Sequence, residues 1–218
     1  MAFLNREEAG GRLAEKLARL RGEDVVVFAL PRGGVPVAAP VAAALGAPLD
    51  LVLVRKIGAP YQPELAMGAV ADGRAPVVVR NEDVIDVLGV SDARFDEACA
   101  RECAEIERRR ALYLGERPRA QAQGRVAVVV DDGVATGATT RAALRAVRAQ
   151  APKRLILAVP VASTEALDAL AAEADEIVCL EAHDWFRGVG GYYADFRQTE
   201  DTEVIALLDR YGSGAARG

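Results

Sequence analysis

Val126 to Val130 is an unbroken apolar run, and it ends in two adjacent carboxylates, Asp131 and Asp132. Gly133, Val134, Ala135, Thr136, Gly137, Ala138, Thr139 and Thr140 follow, leading into a helical pattern. Small residues let backbone N–H groups converge on a ligand, and a helix start adds positive potential. Thr136 and Thr139 add hydroxyl donors, so the segment has the parts of a phosphate cradle. No Gly-Lys-Ser/Thr follows, which separates it from the ATPase phosphate loop. The two acids would repel a bare anion, and they make sense if the ligand also offers hydroxyl donors or a metal. A ribose diol supplies the first, and Mg2+ accepts carboxylate oxygens. The inferred ligand is a sugar phosphate with vicinal hydroxyls.

This segment resembles the signature of the type I phosphoribosyltransferases: a hydrophobic strand, an acidic pair and a Thr-Gly-x-Thr loop. The resemblance implies that Asp131 and Asp132 hold the ribose hydroxyls of phosphoribosyl pyrophosphate, and that Ala135, Thr136, Gly137, Ala138 and Thr139 hold its 5-phosphate. Two further segments agree in order and spacing. Leu30-Pro31-Arg32-Gly33-Gly34 is similar to the family's first loop, which implies pyrophosphate contacts through Arg32 and Gly33. Val54-Arg55-Lys56-Ile57-Gly58 is similar to the start of the family's mobile catalytic loop, here running to Met67, with Arg55 and Lys56 facing the leaving group. Trp185 to Phe196 resembles the hood of purine-type members. That match implies stacking of an acceptor ring on Trp185 or Phe186, and a metal set of Asp131, Asp132 and Asp195 around Mg2+. A satellite apolar cluster is the other reading of the same aromatics. One departure stands out: hypoxanthine-type members carry an acid where Ala135 stands, which weakens a 6-oxopurine acceptor.

The resemblance therefore implies transfer of a phosphoribosyl group to a nitrogen of a nucleobase-like acceptor, with pyrophosphate released. The alternative is a regulatory protein on the same fold that binds phosphoribosyl pyrophosphate or a nucleotide without transfer, since fold alone does not fix function. Arg32, Arg55 and Lys56 favour transfer, because a simple 5-phosphate binder needs no pyrophosphate contacts. A homodimer is a further expectation from the family.

These residues need elements to position them. Apolar runs at Val25–Leu30, Leu49–Val54, Val77–Val79, Val126–Asp131, Leu155–Val159 and Ile177–Leu180 read as strands, with Met67–Ala71 a weaker candidate. They do not alternate with polar residues, as expected of a parallel sheet covered on both faces. Asn5 with Glu8 resembles a capping box, and Pro36 sits in the first turn of an Ala-rich helix through Leu45. Gly137–Ala149 and Thr164–Ala172 are further helices. The expected fold is α/β: an open, mostly parallel twisted sheet with helices on both faces. Residues 1–211 form one domain, with a helical insertion over 81–122, a hood over 183–211 and a flexible tail over 212–218. Ser91–Leu114 is the insertion's long helix, with Phe95, Ala98, Cys99, Ile106 and Tyr113 as its apolar face. Arg108, Arg109, Arg110 and Tyr113 are candidates for contacting an acceptor, against the plainer reading of a solvated helix face. Gly115–Gly124 reads as a polar linker.

Composition narrows the function classes. The 218 residues are 51% hydrophobic and 27% charged, which excludes a disordered chain. A net charge of −5 argues against a nucleic-acid partner. The single histidine, His183, excludes two-histidine metal motifs. There is no Gly-x-Ser-x-Gly elbow, and no nucleophile with a metal cluster for a phosphate-ester hydrolase. Cys99, Cys103 and Cys179 are an odd, sparse set, which fits a reducing cytoplasm. Apolar runs are too short to cross a membrane.

Overall fold

Valine-rich β1 (Val25–Ala29) and β6 (Val126–Val130) are buried at every position, so each packs on both faces. The computed structural model describes residues 2–73 and 75–212. In chain order the remaining elements are α1 (Arg6–Leu17), α2 (Gly34–Leu45), β2 (Leu49–Leu51), β3 (Val54–Ala59), β4 (Gln62–Ala71), β5 (Val77–Arg80), α3 (Glu82–Leu88) and α4 (Asp92–Leu114). After β6 come α5 (Ala138–Arg148), β7 (Arg154–Ser163), α6 (Thr164–Leu170), β8 (Glu176–His183) and α7 (Asp201–Tyr211).

The main sheet has five strands in the order β2-β1-β6-β7-β8, all paired in parallel. β1 and β6 lie side by side with Ala29 opposite Val130, so the loops leaving them are neighbours. This is the rim where ligands bind in open parallel sheets. One face packs against α1, α2 and α7 through Leu13, Leu17, Val37, Val41, Val204 and Leu208. The other packs against α5 and α6 through Ala142, Leu144, Val147 and Leu170.

A second sheet corrects the expected strand arrangement. The run Leu49–Val54 is two strands, because the chain leaves the main sheet after Leu51. Asp72 marks the exit: its carboxylate accepts from the Leu53 N–H (2.8 Å) while its own N–H donates to the Leu53 carbonyl (2.9 Å). β3, β4 and β5 then form an antiparallel three-stranded sheet. Val77–Val79 thus belongs to this small sheet and not to the parallel one. Lys56–Met67 is likewise no irregular loop but most of the β3–β4 hairpin.

α4 is the long helix that the periodicity of Ser91–Leu114 indicates. Phe95, Ala98, Ile106 and Tyr113 of α4 are buried and Cys99 is half-buried; Ile57 and Met67 lie in the same cluster. The linker after it is less exposed than its polarity suggests. Ala120 and Ala122 are buried, and the Ala120 N–H donates to Asp50 (2.6 Å). Asn5 caps α1, accepting from the Glu8 N–H at 2.9 Å. All three cysteines are free thiols, and burial beside Cys103 pushes Cys99 up to about 11. Of the expected tail, 213–218 lies outside the described residues, and Gly212 closes α7 by donating to the Leu208 carbonyl.

Asp175 links α5 to β7. It accepts two bonds from Arg148 (2.9 and 3.0 Å) and one from the Leu155 N–H (2.7 Å), which hold its carboxyl below the usual range. A lowered folded-state value means the contribution is present above the unfolded carboxyl range, about pH 4, and is lost as pH falls below it. Asp175→Asn is therefore expected to lower the melting temperature at pH 7 by about 1–3 °C, given its solvent exposure. The gap from wild type should close below about pH 4. A gap that persists in acid would disprove the electrostatic origin.

Candidate active site

Asp131 and Asp132 leave the end of β6, the central strand of the main sheet. The loop that follows is fastened from below. Val134 exchanges backbone bonds with β7, its N–H donating to Val161 and its carbonyl accepting from Ser163, both at 3.0 Å. The Ser163 hydroxyl donates to the Ala135 carbonyl (2.7 Å) while it caps α6 by accepting from Ala166. Gly137 enters α5 at φ +76°, a conformation that glycine adopts without penalty. Among the described residues, the N–H groups from Ala135 to Thr139 donate to nothing in the protein. Ala135, Thr136 and Ala138 are exposed. Unpaired donors at the first turn of an 11-residue helix can receive an anion without any side-chain charge.

The acids themselves are half-buried. Burial pushes Asp131 well above the ordinary carboxylate range, and the neighbouring Asp132 charge adds to the shift. Burial raises Asp132 too, opposed by the Arg6 guanidinium, which lies 2.7 Å away. Perturbed carboxylates at a strand end make a candidate functional site. The loop Pro31–Gly34 packs directly on them. A Cβ at Gly33 would lie 2.0 Å from an Asp132 carboxylate oxygen, so only glycine admits the contact. The structure thus brings the first loop and the acidic pair together. Arg32 reaches elsewhere, to within 3.6 Å of Asp201 at the start of α7.

Strand geometry separates the two basic residues of the hairpin. Successive side chains on a strand point to opposite faces. Arg55 donates to Glu102 of α4 at 2.8 Å, on the face where Ile57 is buried. Lys56 is exposed on the other face and has no ion-pair partner among the described residues. Both still border one cavity of about 930 Å3, which runs between β3, α4 and Thr139. Its α4 wall is Arg94, Glu97, Arg101 and Glu102, residues that the sequence reading missed. The spacing of Arg94, Glu97 and Arg101 by three and four was visible, but the face they occupy was not.

The other candidate residues lie outside this cavity. Arg108 and Arg109 pair with Glu105, Arg110 with Asp72, and the Tyr113 hydroxyl with Asp201, so this group braces the insertion and does not border the cavity. Asp195 does not join the acidic pair. Its carboxylate accepts from the Arg197 N–H (3.1 Å), and among the described residues no three metal-ligating side chains cluster. The aromatics of 185–196 also divide. Phe186 stacks on Tyr192 (5.2 Å), and Tyr193 packs on Phe3, whereas Trp185 is 90% exposed. Trp185→Ala is expected to leave the melting temperature within about 1 °C. A drop of about 5 °C or more would show that the ring packs.

A phosphoribosyl transferase domain model matches residues 2–197. The chain belongs to the phosphoribosyltransferase family. The protein TT1426 from Thermus thermophilus is 44% identical and superposes with a TM-score of 0.83 over 98% of this chain and 100% of that one. Two Mycobacterium tuberculosis proteins, provisionally named phosphoribosyl transferases, are 46% identical over 208 residues, 95% of this chain. That match is 46% of their length, so the chain spans about half of the curated relatives it matches. The family's α/β fold is the one described above. No helix among the described residues is long and apolar enough to cross a membrane.

Proposed function

We propose that the protein transfers the 5-phosphoribosyl group of phosphoribosyl pyrophosphate to a nitrogen of a nucleobase-like acceptor. The observation that carries this reading is the pairing of unpaired N–H groups at Ala135–Thr139 with two half-buried acids at the start of the same loop. The cradle suits the terminal 5-phosphate, and the acids suit the ribose 2- and 3-hydroxyls, which donate to them. The acceptor nitrogen then forms a bond to C1 as the bond from C1 to the pyrophosphate oxygen breaks. Positive charge develops at the anomeric carbon, so the protein's contributions are position, charge compensation at the leaving group and water exclusion.

The donor set around Asp131 and Asp132 fits Mg2+ only in part. Two carboxylates without a third make no protein cage, but Mg2+ is commonly held by one or two carboxylates together with phosphate oxygens and water. Bound that way, the ion would neutralise charge on pyrophosphate. Asp131 and Asp132 are the residues that would hold it.

Lys56 borders the cavity that Thr139 also lines, without an ion-pair partner among the described residues, and it favours transfer over binding alone. Arg55, held by Glu102, acts on the hairpin's position. Trp185 and Phe186 remain the acceptor-ring candidates, with the hood 183–211 as their carrier. The test is incubation with Mg2+ and phosphoribosyl pyrophosphate against a panel of bases and amines, with released pyrophosphate as the readout. Release that depends on one acceptor class is the expected result. Tight donor binding with no release for any acceptor would favour the regulatory reading.

A further inference from the structure

Asp132 is gripped by a residue far from its own motif. Arg6, in the first turn of α1, donates from Nε to Asp132 Oδ2 at 2.8 Å, and its Nη2 lies 2.7 Å from the same oxygen. Its Nη1 donates to the Arg197 carbonyl at 2.8 Å. The guanidinium also lies against Phe196, 3.9 Å from the ring centroid. The Arg6 side chain is only 11% exposed, and each of its three guanidinium nitrogens has a partner. A planar fork with fixed donors is suited to holding one carboxylate orientation.

The position of Arg6 is set by a backbone seam between the N-terminal residues and the hood. The N–H groups of Ala2 and Phe3 both donate to the Tyr192 carbonyl at 3.0 Å. Ala194 and Asp195 donate back to Phe3 and Leu4, each at 2.9 Å. Asn5 then caps the helix that carries Arg6. From the same seam, the Tyr193 hydroxyl donates to the Asp132 backbone carbonyl at 2.6 Å. Asp132 is therefore fixed twice, at its side chain by α1 and at its backbone by the hood.

We propose that Arg6 is a positioning residue for donor binding: it locks Asp132 so that one carboxylate oxygen faces α1 and the other is left for the pentose, and it ties the hood to the donor site. This rests on the reading of Asp131 and Asp132 as the ribose acids. One consequence is a division of labour within the pair. Asp132 offers the ligand a single, oriented oxygen, because Oδ2 is committed to Arg6. A second is coupling: movement of the segment around Arg197 pulls directly on a residue in contact with Asp132.

The test is a double-mutant cycle in donor binding. Affinity for Mg2+/phosphoribosyl pyrophosphate is measured by calorimetry for wild type, Arg6→Gln, Asp132→Ala and the double variant, with melting temperatures alongside. Arg6→Gln is expected to weaken binding at least about tenfold, as a misplaced binding group does. In the Asp132→Ala background the same change should cost less than about twofold, because the oxygen that Arg6 holds is gone. Arg6→Lys keeps the charge but cannot hold Asp132 and the Arg197 carbonyl together, so its affinity falls between wild type and Arg6→Gln. It carries the test if the glutamine variant does not fold. A lower melting temperature with unchanged donor affinity, or penalties that multiply in the double variant, would overturn the positioning role while leaving the proposed function standing. Wild-type protein that fails to bind the donor would remove the proposed function and this role with it.

Discussion

Asp131→Asn combined with Asp132→Asn is expected to abolish Mg2+-dependent phosphoribosyl pyrophosphate binding while the far-ultraviolet circular dichroism stays that of the wild type. A hydrogen bond to a charged group contributes about 1.5–3 kcal/mol. Losing two of them at the pentose corresponds to about a hundredfold to more than a thousandfold in affinity. The fold survives because neither acid belongs to the packed core; β6 ends before them. Asp131→Asn alone should even melt above wild type. Burial and the Asp132 charge hold the Asp131 carboxyl well above its ordinary range, so its ionised form is unfavourable in the folded chain. An amide at that position accepts the Asp132 N–H as the carboxylate does (2.9 Å) and carries no charge. Stability set aside for a ligand is common at binding sites. Unchanged donor affinity in the double variant would refute the ribose assignment.

Lys56→Ala should separate chemistry from binding. Lys56 borders the cavity that Thr139 also lines and has no ion-pair partner among the described residues. A cation placed where the leaving group gathers charge acts mostly in the transition state, so pyrophosphate release is expected to fall by about 10²–10³. Ribose 5-phosphate, which lacks the diphosphate, should bind within about twofold of wild type. Equal losses in turnover and in ribose 5-phosphate affinity would show that Lys56 serves the 5-phosphate and not pyrophosphate. Arg55→Ala provides the contrast. Its side chain is held by Glu102, and removing it frees the hairpin from α4 without taking a charge from the face that Lys56 occupies.

The sequence by itself determined the features that depend on neighbours in the chain. Five consecutive apolar residues, two acids and a run of small residues specify a buried strand, a charged strand end and a donor-rich turn, each through local sterics and burial. The parallel main sheet follows from strands that never alternate, and the insertion helix from its apolar period. What depended on distance in the chain was decided only by the tertiary structure. Nothing around Val77 distinguishes a strand of the main sheet from one of the small sheet, because both are runs of valine. The run from Arg55 to Lys56 shows two cations, but only the docking of β3 against α4 determines which of them is committed to an acid. Arg6 looks like any charged residue in a first helical turn, and its partner lies 126 residues away. Periodicity records which face of an element is buried and is silent on what is buried against it, so the support of the acidic pair became visible only when the two ends of the chain met.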